Sequence, residues 1–428
     1  MSRRIALTCL LVLSFVLAAC SGSRFEPPQV LGRPALVEGE QPRLWVLTKQ
    51  EEVREVRFGT GGGRNRNTST RLDTFFHFEL TAFDPLLMQP AWKQRLVSIG
   101  DPDARGPLPS RVIGSAVDGR LLGQDGDLVW LLIDATPFAL SASDGRIVID
   151  GPALEARRHE LAGLLPADAT HYGFDRGLVI TTADARVVSV RGPEFTVADY
   201  VPPPPPVPDA PLKANGSPRI VPMRPLYNHV RHLQRGDEWI GLYSPKEAEA
   251  AAEDPFGDRY LFPYSILDEG TMARRQFWRG RIAEKQHFDE RFPHIAGMDP
   301  VAGSPTFLRG RFLRDPRTDA AFVPADGGLL VWHLTRVDSD GRLALSRLDD
   351  DFQPRWTTEL PLSESGTGNP VSTWILDDRV VAAGDLQFED AERIRQRDFH
   401  LVSISLADGA RRAWNLTRES PLTELEPR

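Results

Sequence analysis

Short apolar or alternating runs recur along the chain, and each is closed by Asp, Gly or Pro. They include LVWLLID (Leu128–Asp134), GRIVID (Gly145–Asp150), GLVITTAD (Gly177–Asp184) and RVVSVRG (Arg186–Gly192). GLLVWHLTRVD (Gly328–Asp338), GRLALSRLD (Gly341–Asp349), RVVAAGD (Arg379–Asp385) and HLVSISLAD (His400–Asp408) continue the series. Period-two alternation and β-branched runs of this length predict strands. Asp-Gly stands at Asp118-Gly119, Asp125-Gly126, Asp144-Gly145, Asp326-Gly327, Asp340-Gly341 and Asp408-Gly409. Glycine supplies the positive φ that tight hairpins need. Many short strands at such intervals predict an all-β sandwich, barrel or propeller, and 428 residues exceed one sandwich.

A degenerate repeat narrows the choice. HFELTAFDPLLMQPAWKQRL (His77–Leu96), GRLALSRLDDDFQPRWTTEL (Gly341–Leu360) and FHLVSISLADGARRAWNL (Phe399–Leu416) share one frame. An alternating strand leads to a turn, and Trp92, Trp356 or Trp414 opens a second strand. FALSASDGRIVID (Phe138–Asp150) has the frame with Ile147 or Val148 in the tryptophan place. This frame resembles the outer hairpin of PQQ-like (quinoprotein alcohol dehydrogenase-like) β-propeller repeats. The resemblance implies a propeller of six to eight four-stranded blades, seven being the best fit, with each tryptophan packing one blade on the next. Two unrelated β-sandwiches are the alternative architecture.

Two segments break the rhythm. VPPPPPVPDAP (Val201–Pro211) has no donors for a ladder and predicts a stiff extended strap between blades, or a separator of two domains. Residues 236–297 read as a partly helical insertion. Within it SPKEAEAAAED predicts a helix with a capping box, Ser244 at the N-cap, Pro245 at N1 and Glu247 at N3, stopped by Asp254-Pro255. Four of the six tyrosines fall between Tyr227 and Tyr264. Tyr260, Phe262, Tyr264, Arg275 and Trp278 form a candidate partner-binding group, because Tyr, Trp and Arg are enriched at interface hot spots. The competing reading packs these rings inward.

The N-terminus changes the picture from shape to location. Arg3 and Arg4 precede an apolar run from Ile5 to Ala19, interrupted by Thr8, Cys9 and Ser14. That run suits a signal peptide and is shorter than the ~18–20 residues of a spanning helix. Leu17-Ala18-Ala19-Cys20 resembles the bacterial lipoprotein signal. The resemblance implies lipidation of Cys20 after cleavage, and Ser21, in place of Asp, implies the outer membrane and its periplasmic face. The organisation expected is a signal peptide over 1–19, a lipidated tether over 20–40, a propeller over 41–420 with its strap at 201–218, and a tail over 421–428. Only Cys9 and Cys20 are cysteines, so the mature chain has no disulfide, thiol nucleophile or thiolate metal site.

The formal charge of −8 argues against nucleic-acid binding. GTGGGRN (Gly59–Asn65) lacks the Lys-Ser/Thr of a phosphate loop and reads as a hairpin tip between strands, made basic by Arg57, Arg64, Arg66 and Arg71. His229 and His232 could share a metal on a helix but have no third ligand in sequence. DSDG (Asp338–Gly341) lacks the closing Glu of a calcium loop and suits a turn. No metal or cofactor is expected. The cysteine pair of quinoprotein dehydrogenases is missing, so the propeller resemblance implies no redox chemistry here. The function expected is a monomeric, membrane-anchored periplasmic protein whose propeller binds or scaffolds an envelope protein partner. The alternative is a periplasmic enzyme or small-ligand binder that uses the central funnel.

Overall fold

The structure, a computed structural model, describes residues 23–60, 67–100, 117–203, 229–253, 274–287, 290–315, 320–338, 341–363, 371–389, 395–422 and 424. Cys20, the proline run from Pro204, and Tyr260, Phe262 and Tyr264 lie outside the described residues. Strand makes up 59% and helix 7%, so the chain is all-β. Each of the eight apolar runs falls on a strand, and every strand pairing among the described residues is antiparallel. Two units are present: Met1–Asp84 with Gln89–Val201, and Pro85–Met88 with Pro202–Arg428. The division falls where the proline run begins.

The first unit holds three sheets. One is built on β1 (Ser23–Phe25), β2 (Gln29–Val30), β3 (Ala35–Val37), β4 (Arg43–Thr60), β5 (Asn67–Asp84) and β6 (Gln89–Ile99). Residues expected as a tether thus supply β1 to β3, all paired to β4. The second sheet is the meander β7 (Gly119–Asp125), β8 (Leu128–Ile133), β9 (Thr136–Ser141) and β10 (Ile147–Asp150). After it come the short helix α1 (Gly151–Arg157), capped by Asp150, and a third meander of β11 (Tyr172–Phe174), β12 (Leu178–Thr181), β13 (Val187–Arg191) and β14 (Thr196–Asp199).

The middle sheet is buried on both faces, which explains why LVWLLI shows no polar alternation. Val129, Leu131 and Ile133 pack with Trp45, Leu47 and Phe78 of the first sheet. Leu128, Trp130 and Leu132 pack with Leu178, Ile180 and Val190 of the third.

The second unit repeats this layering. Its strands are β15 (His229–Val230), β16 (His232–Arg235), β17 (Glu238–Tyr243), β18 (Arg274–His287), β19 (Glu290–Pro300), β20 (Phe307–Leu313), β21 (Leu329–Leu334), β22 (Leu343–Leu348) and β23 (Pro354–Glu359). A five-stranded meander follows: β24 (Ser372–Leu376), β25 (Arg379–Glu389), β26 (Arg395–Ser405), β27 (Arg411–Asn415) and β28 (Ser420–Leu422). Helix α2 (Pro245–Glu253) follows β17. Among the described residues the β16–β19 and β20–β23 layers join through two residue pairs, Arg274–Leu308 and Arg275–Phe307. Leu329 and Val331 face the layer before, against Ile240 and Phe277. Leu330, Trp332 and Leu334 face the last meander, against Val380, Ala382 and Val402. Among the described residues there are six sheet layers, three in each unit, and no closed ring of blades is identified.

The repeated frame has a structural basis. In β5–β6, Phe83 pairs with Pro90 and Ala82 with Trp92, skipping Ala91 as a bulge. In β22–β23, Leu348 pairs with Pro354 and Arg347 with Trp356, skipping Arg355. The β9–β10 hairpin has the same bulge at Val148, so Ile149, and neither Ile147 nor Val148, occupies the tryptophan position. Trp414 differs: β26–β27 has no bulge, and Trp414 pairs with Leu401, two pairs further from the turn than Trp356 and one further than Trp92.

The turns explain the inter-sheet packing. A Cβ on Gly145 would lie 2.3 Å from the Trp92 ring, and one on Gly409 would lie 2.7 Å from Trp356. Each indole of one sheet therefore rests on the glycine of the next sheet's hairpin. Both glycines have positive φ, +71° and +72°. The turns bond alike: the amide of Gly145 donates to the Ser141 carbonyl at 2.8 Å, and that of Gly409 to Ser405 at 3.0 Å.

Candidate functional site

Helix α2 forms where the sequence places its capping signal. The Ser244 amide donates to Glu247 Oε2 at 2.8 Å, and the Glu247 amide donates to Ser244 Oγ at 3.4 Å. Two donors left open at a helix start are thereby closed. Glu247 does more than cap. Arg275, on β18, forks onto it with Nε and Nη2 at 2.9 Å each and donates a third bond to the Gly310 carbonyl at 3.2 Å. Arg231 adds a contact at 2.8 Å. Burial pushes the Glu247 carboxyl up, but Arg275 and Arg231 outweigh it and hold it below its ordinary range.

Of the five candidate contact residues, two are described. Arg275 is 4% exposed, with its guanidinium engaged by Glu247 and Gly310. Trp278 is half-buried; its Nε1 donates to the Tyr243 carbonyl at 3.1 Å, and it packs beside Ala248 and Ala251 of the helix. The structure brings these two to the seat of the helix. His232 lies on a strand and stacks on Trp239 with centroids 4.0 Å apart; burial pushes its imidazole down to about 4. His229 is also on a strand, so HVRH does not carry its two histidines on a helix.

A groove of about 730 Å³ opens in the same region, at the neck of the β18–β19 hairpin. Its charged lining is Asp237, Glu238, Arg279, Arg281 and Asp299. Arg279 pairs with Glu238 at 2.9 Å and Arg281 approaches Asp237 at 4.0 Å. The β18–β19 ladder shifts register between Arg279 and Arg281, at Gly280. A side chain there would meet Ile295 at 2.4 Å. The groove offers both signs of charge.

Beyond that neck, β18 and β19 continue from Ile282–Ile295 to His287–Glu290 with no third strand paired among the described residues. Two other hairpins do the same. The β4–β5 pairing runs on from Glu55–Leu72 to Thr60–Asn67, past the reach of β1 and β6. The β25–β26 pairing runs on from Asp385–Phe399 to Glu389–Arg395. Of GTGGGRN, Gly59 and Thr60 end β4 and the residues from Gly61 to Asn65 lie outside the described residues; the two strands of this arm are 18 residues each.

Sequence reading missed a polar array at the root of the first arm. Glu52 of β4, His77 of β5 and Ser98 of β6 face one another across adjacent strands. His77 lies directly opposite Ser98, and Glu52 is two residues beyond the residue opposite His77. His77 Nδ1 is 2.8 Å from Ser98 Oγ, and Nε2 is 2.8 Å from Glu52 Oε2. Arg54 donates to both Glu52 oxygens, at 2.6 and 2.9 Å. Glu52 and His77 are 3% and 1% exposed, while Ser98 is partly exposed. Hydrogen bonds from Arg54, with help from His77 and Ser23, overcome burial and hold Glu52 down at about 2. The only local signal was a histidine inside the apolar run FFHFEL.

Among the described residues, no group of three metal-ligating side chains is present, and no helix is long and apolar enough to cross a membrane. No protein-family model matches the chain, and no curated protein matches it at a significant level.

Proposed function

We propose that this chain is a lipid-anchored protein of the bacterial envelope whose sheets form a β-propeller and whose projecting arms bind an envelope protein. Lipidated Cys20 holds it to the periplasmic face of the outer membrane. The anchor rests on Arg3, Arg4, the apolar run and Leu17-Ala18-Ala19-Cys20. The propeller reading is supported by the six layers, by the middle sheets buried on both faces, and by the indole-on-glycine contacts between consecutive sheets. These features favour a layered repeat over two unrelated sandwiches.

The observation that carries the binding role is the three two-stranded arms. Where such a ribbon pairs with no third strand among the described residues, as β25–β26 does beyond the Ser363 contacts to Asp385 and Gln387, it is a template for strand addition by a partner. The mixed-charge groove at the neck of the β18–β19 arm gives one of them an adjoining recess. Tyr260, Phe262 and Tyr264, which lie outside the described residues, remain the proposed contact group together with Arg275 and Trp278, the last two acting through the helix they seat.

The test uses cells that produce the full chain. Native gels of mildly solubilised membranes should show it in a larger assembly. Shortening the β18–β19 or β25–β26 arm should release it as a monomer, and Cys20→Ser should release it from the membrane. A chain that migrates as a monomer with all arms intact would end the scaffold reading.

A further inference from the structure

The array of Glu52, His77 and Ser98 has the connectivity of an activated nucleophile. Glu52 is held ionised by Arg54, so it can only accept hydrogen bonds. The proton between Glu52 Oε2 and His77 Nε2 therefore belongs to the imidazole. In the neutral imidazole bonded through Nε2–H to Glu52, Nδ1 carries the lone pair, and the 2.8 Å contact is then the hydrogen bond by which the Ser98 hydroxyl donates to it. A base oriented by a carboxylate and bonded to a serine hydroxyl is the arrangement that activates serine for acyl transfer, whatever the fold. Of the three, only Ser98 is partly exposed, as a nucleophile must be.

The surroundings hold this geometry in place. The Phe25 ring lies 6.2 Å from His77, and the Arg54 guanidinium stacks 4.4 Å from the centre of Phe75. Direct cross-strand pairing of His77 with Ser98 fixes their separation through the backbone ladder.

We infer that Ser98, His77 and Glu52 form a catalytic site for cleavage of carboxylic esters. Ser98 Oγ attacks the acyl carbon as its proton passes to His77 Nδ1. Collapse of the tetrahedral intermediate breaks the bond to the alcohol, which leaves with that proton. Water, deprotonated by His77, then hydrolyses the acyl-serine and restores the site. Glu52 stabilises the imidazolium, and Arg54 positions Glu52. Ser23 pairs with Arg54 on β4, three residues after Cys20. If Cys20 carries lipid as proposed above, a chain of three residues keeps that strand within ~11 Å of the anchor. Esters presented at the membrane surface are then the substrates within reach.

The experiment is labelling with a fluorophosphonate, on both the detergent-extracted full chain and the Cys20→Ser variant, followed by peptide mapping. The adduct should fall on Ser98 in both, so failure of the anchor does not affect this result. Ser98→Ala should abolish labelling, and His77→Gln should slow it by roughly 100-fold or more. Glu52→Gln should slow it and Glu52→Asp should partly restore it, a rescue that a purely structural carboxylate would not produce. Hydrolysis of a vesicle-borne ester should fall in the Cys20→Ser variant, while a soluble ester is cleaved equally by both. A folded wild-type chain with no adduct on Ser98 would overturn the inference and leave the array as a polar cross-strand ladder. Because the position of the wild-type adduct decides this, the outcome does not depend on whether any variant folds.

Discussion

Replacing Gly145 with alanine isolates the contact that stacks the first two sheets. Gly145 has φ +71°, and an added Cβ would lie 2.3 Å from the Trp92 ring. That indole has little room to retreat, since it meets Trp45 edge-on with centroids 5.1 Å apart, and Trp45 is fully buried. Two terms add. Left-handed backbone costs a non-glycine residue ~1–2 kcal/mol. Overpacking against the indole adds ~1–3 kcal/mol. Gly145→Ala should therefore lose ~2–5 kcal/mol. Gly126 supplies the control: its φ is +57° and an added Cβ would meet nothing within 4 Å. Gly126→Ala should show the backbone term alone. The assay is urea unfolding followed by circular dichroism, on the two single variants and in a Trp92→Ala background. With the indole removed, the cost of Gly145→Ala should fall to that of Gly126→Ala, a coupling of more than ~1 kcal/mol. Equal costs for Gly145→Ala with and without Trp92 would refute the docking argument.

Four further outcomes follow from the buried charges and the anchor. Glu52 is depressed from 4.5 to about 2, so its stabilisation is complete above the ordinary carboxylate range and disappears as pH falls through about 2. Glu52→Gln should flatten acid unfolding in that window and reduce stability at neutral pH by ~2–3 kcal/mol, read from unfolding curves at several pH values. Asp385 is 6% exposed with Arg397 at 3.5 Å, and burial raises its carboxyl against the pull of that guanidinium. Its effect has the opposite sign, with stability falling as pH rises through the aspartate range, so Asp385→Asn should be at least as stable as the native chain at neutral pH. Glu247→Ala removes the helix cap and leaves Arg275 buried without its partner, and should cost ~3–5 kcal/mol in chemical denaturation. Cys20→Ser should abolish acylation, seen as loss of the lipid mass on the N-terminal peptide; a native mature chain beginning unmodified at Ser21 or beyond would contradict the anchor.

What could be read from the sequence was what local chemistry controls. The runs with apolar or alternating positions became strands because burial on one or both faces fixes a period-two pattern. The Ser244–Glu247 box became a helix start because both groups lie within one turn. Trp92 and Trp356 could be aligned because the hairpin and its bulge lie within a few residues of each indole. Ile149 and Trp414 were misplaced for the same reason, since the presence or absence of a bulge shifts the register without a mark in composition. The short strands β1 to β3 read as tether because they contain too few residues to show alternation. The Glu52–His77–Ser98 array was invisible because its members come from three strands, and only the β4–β5–β6 register brings them together. Arg275 looked like a surface hot spot until its burial against Glu247 was seen, because composition carries no information on which way a side chain points.

The claim that the arms are the binding surface is tested most directly by photo-cross-linking in intact cells. A photoreactive residue replaces Glu284 on the β18–β19 arm or Gln396 on the β25–β26 arm, both exposed, and Glu194 in the β13–β14 turn serves as the exposed control. The account predicts a discrete cross-linked species of one size from Glu284 or Gln396 and none from Glu194. Identical patterns from all three positions, or no adduct from either arm, would contradict it.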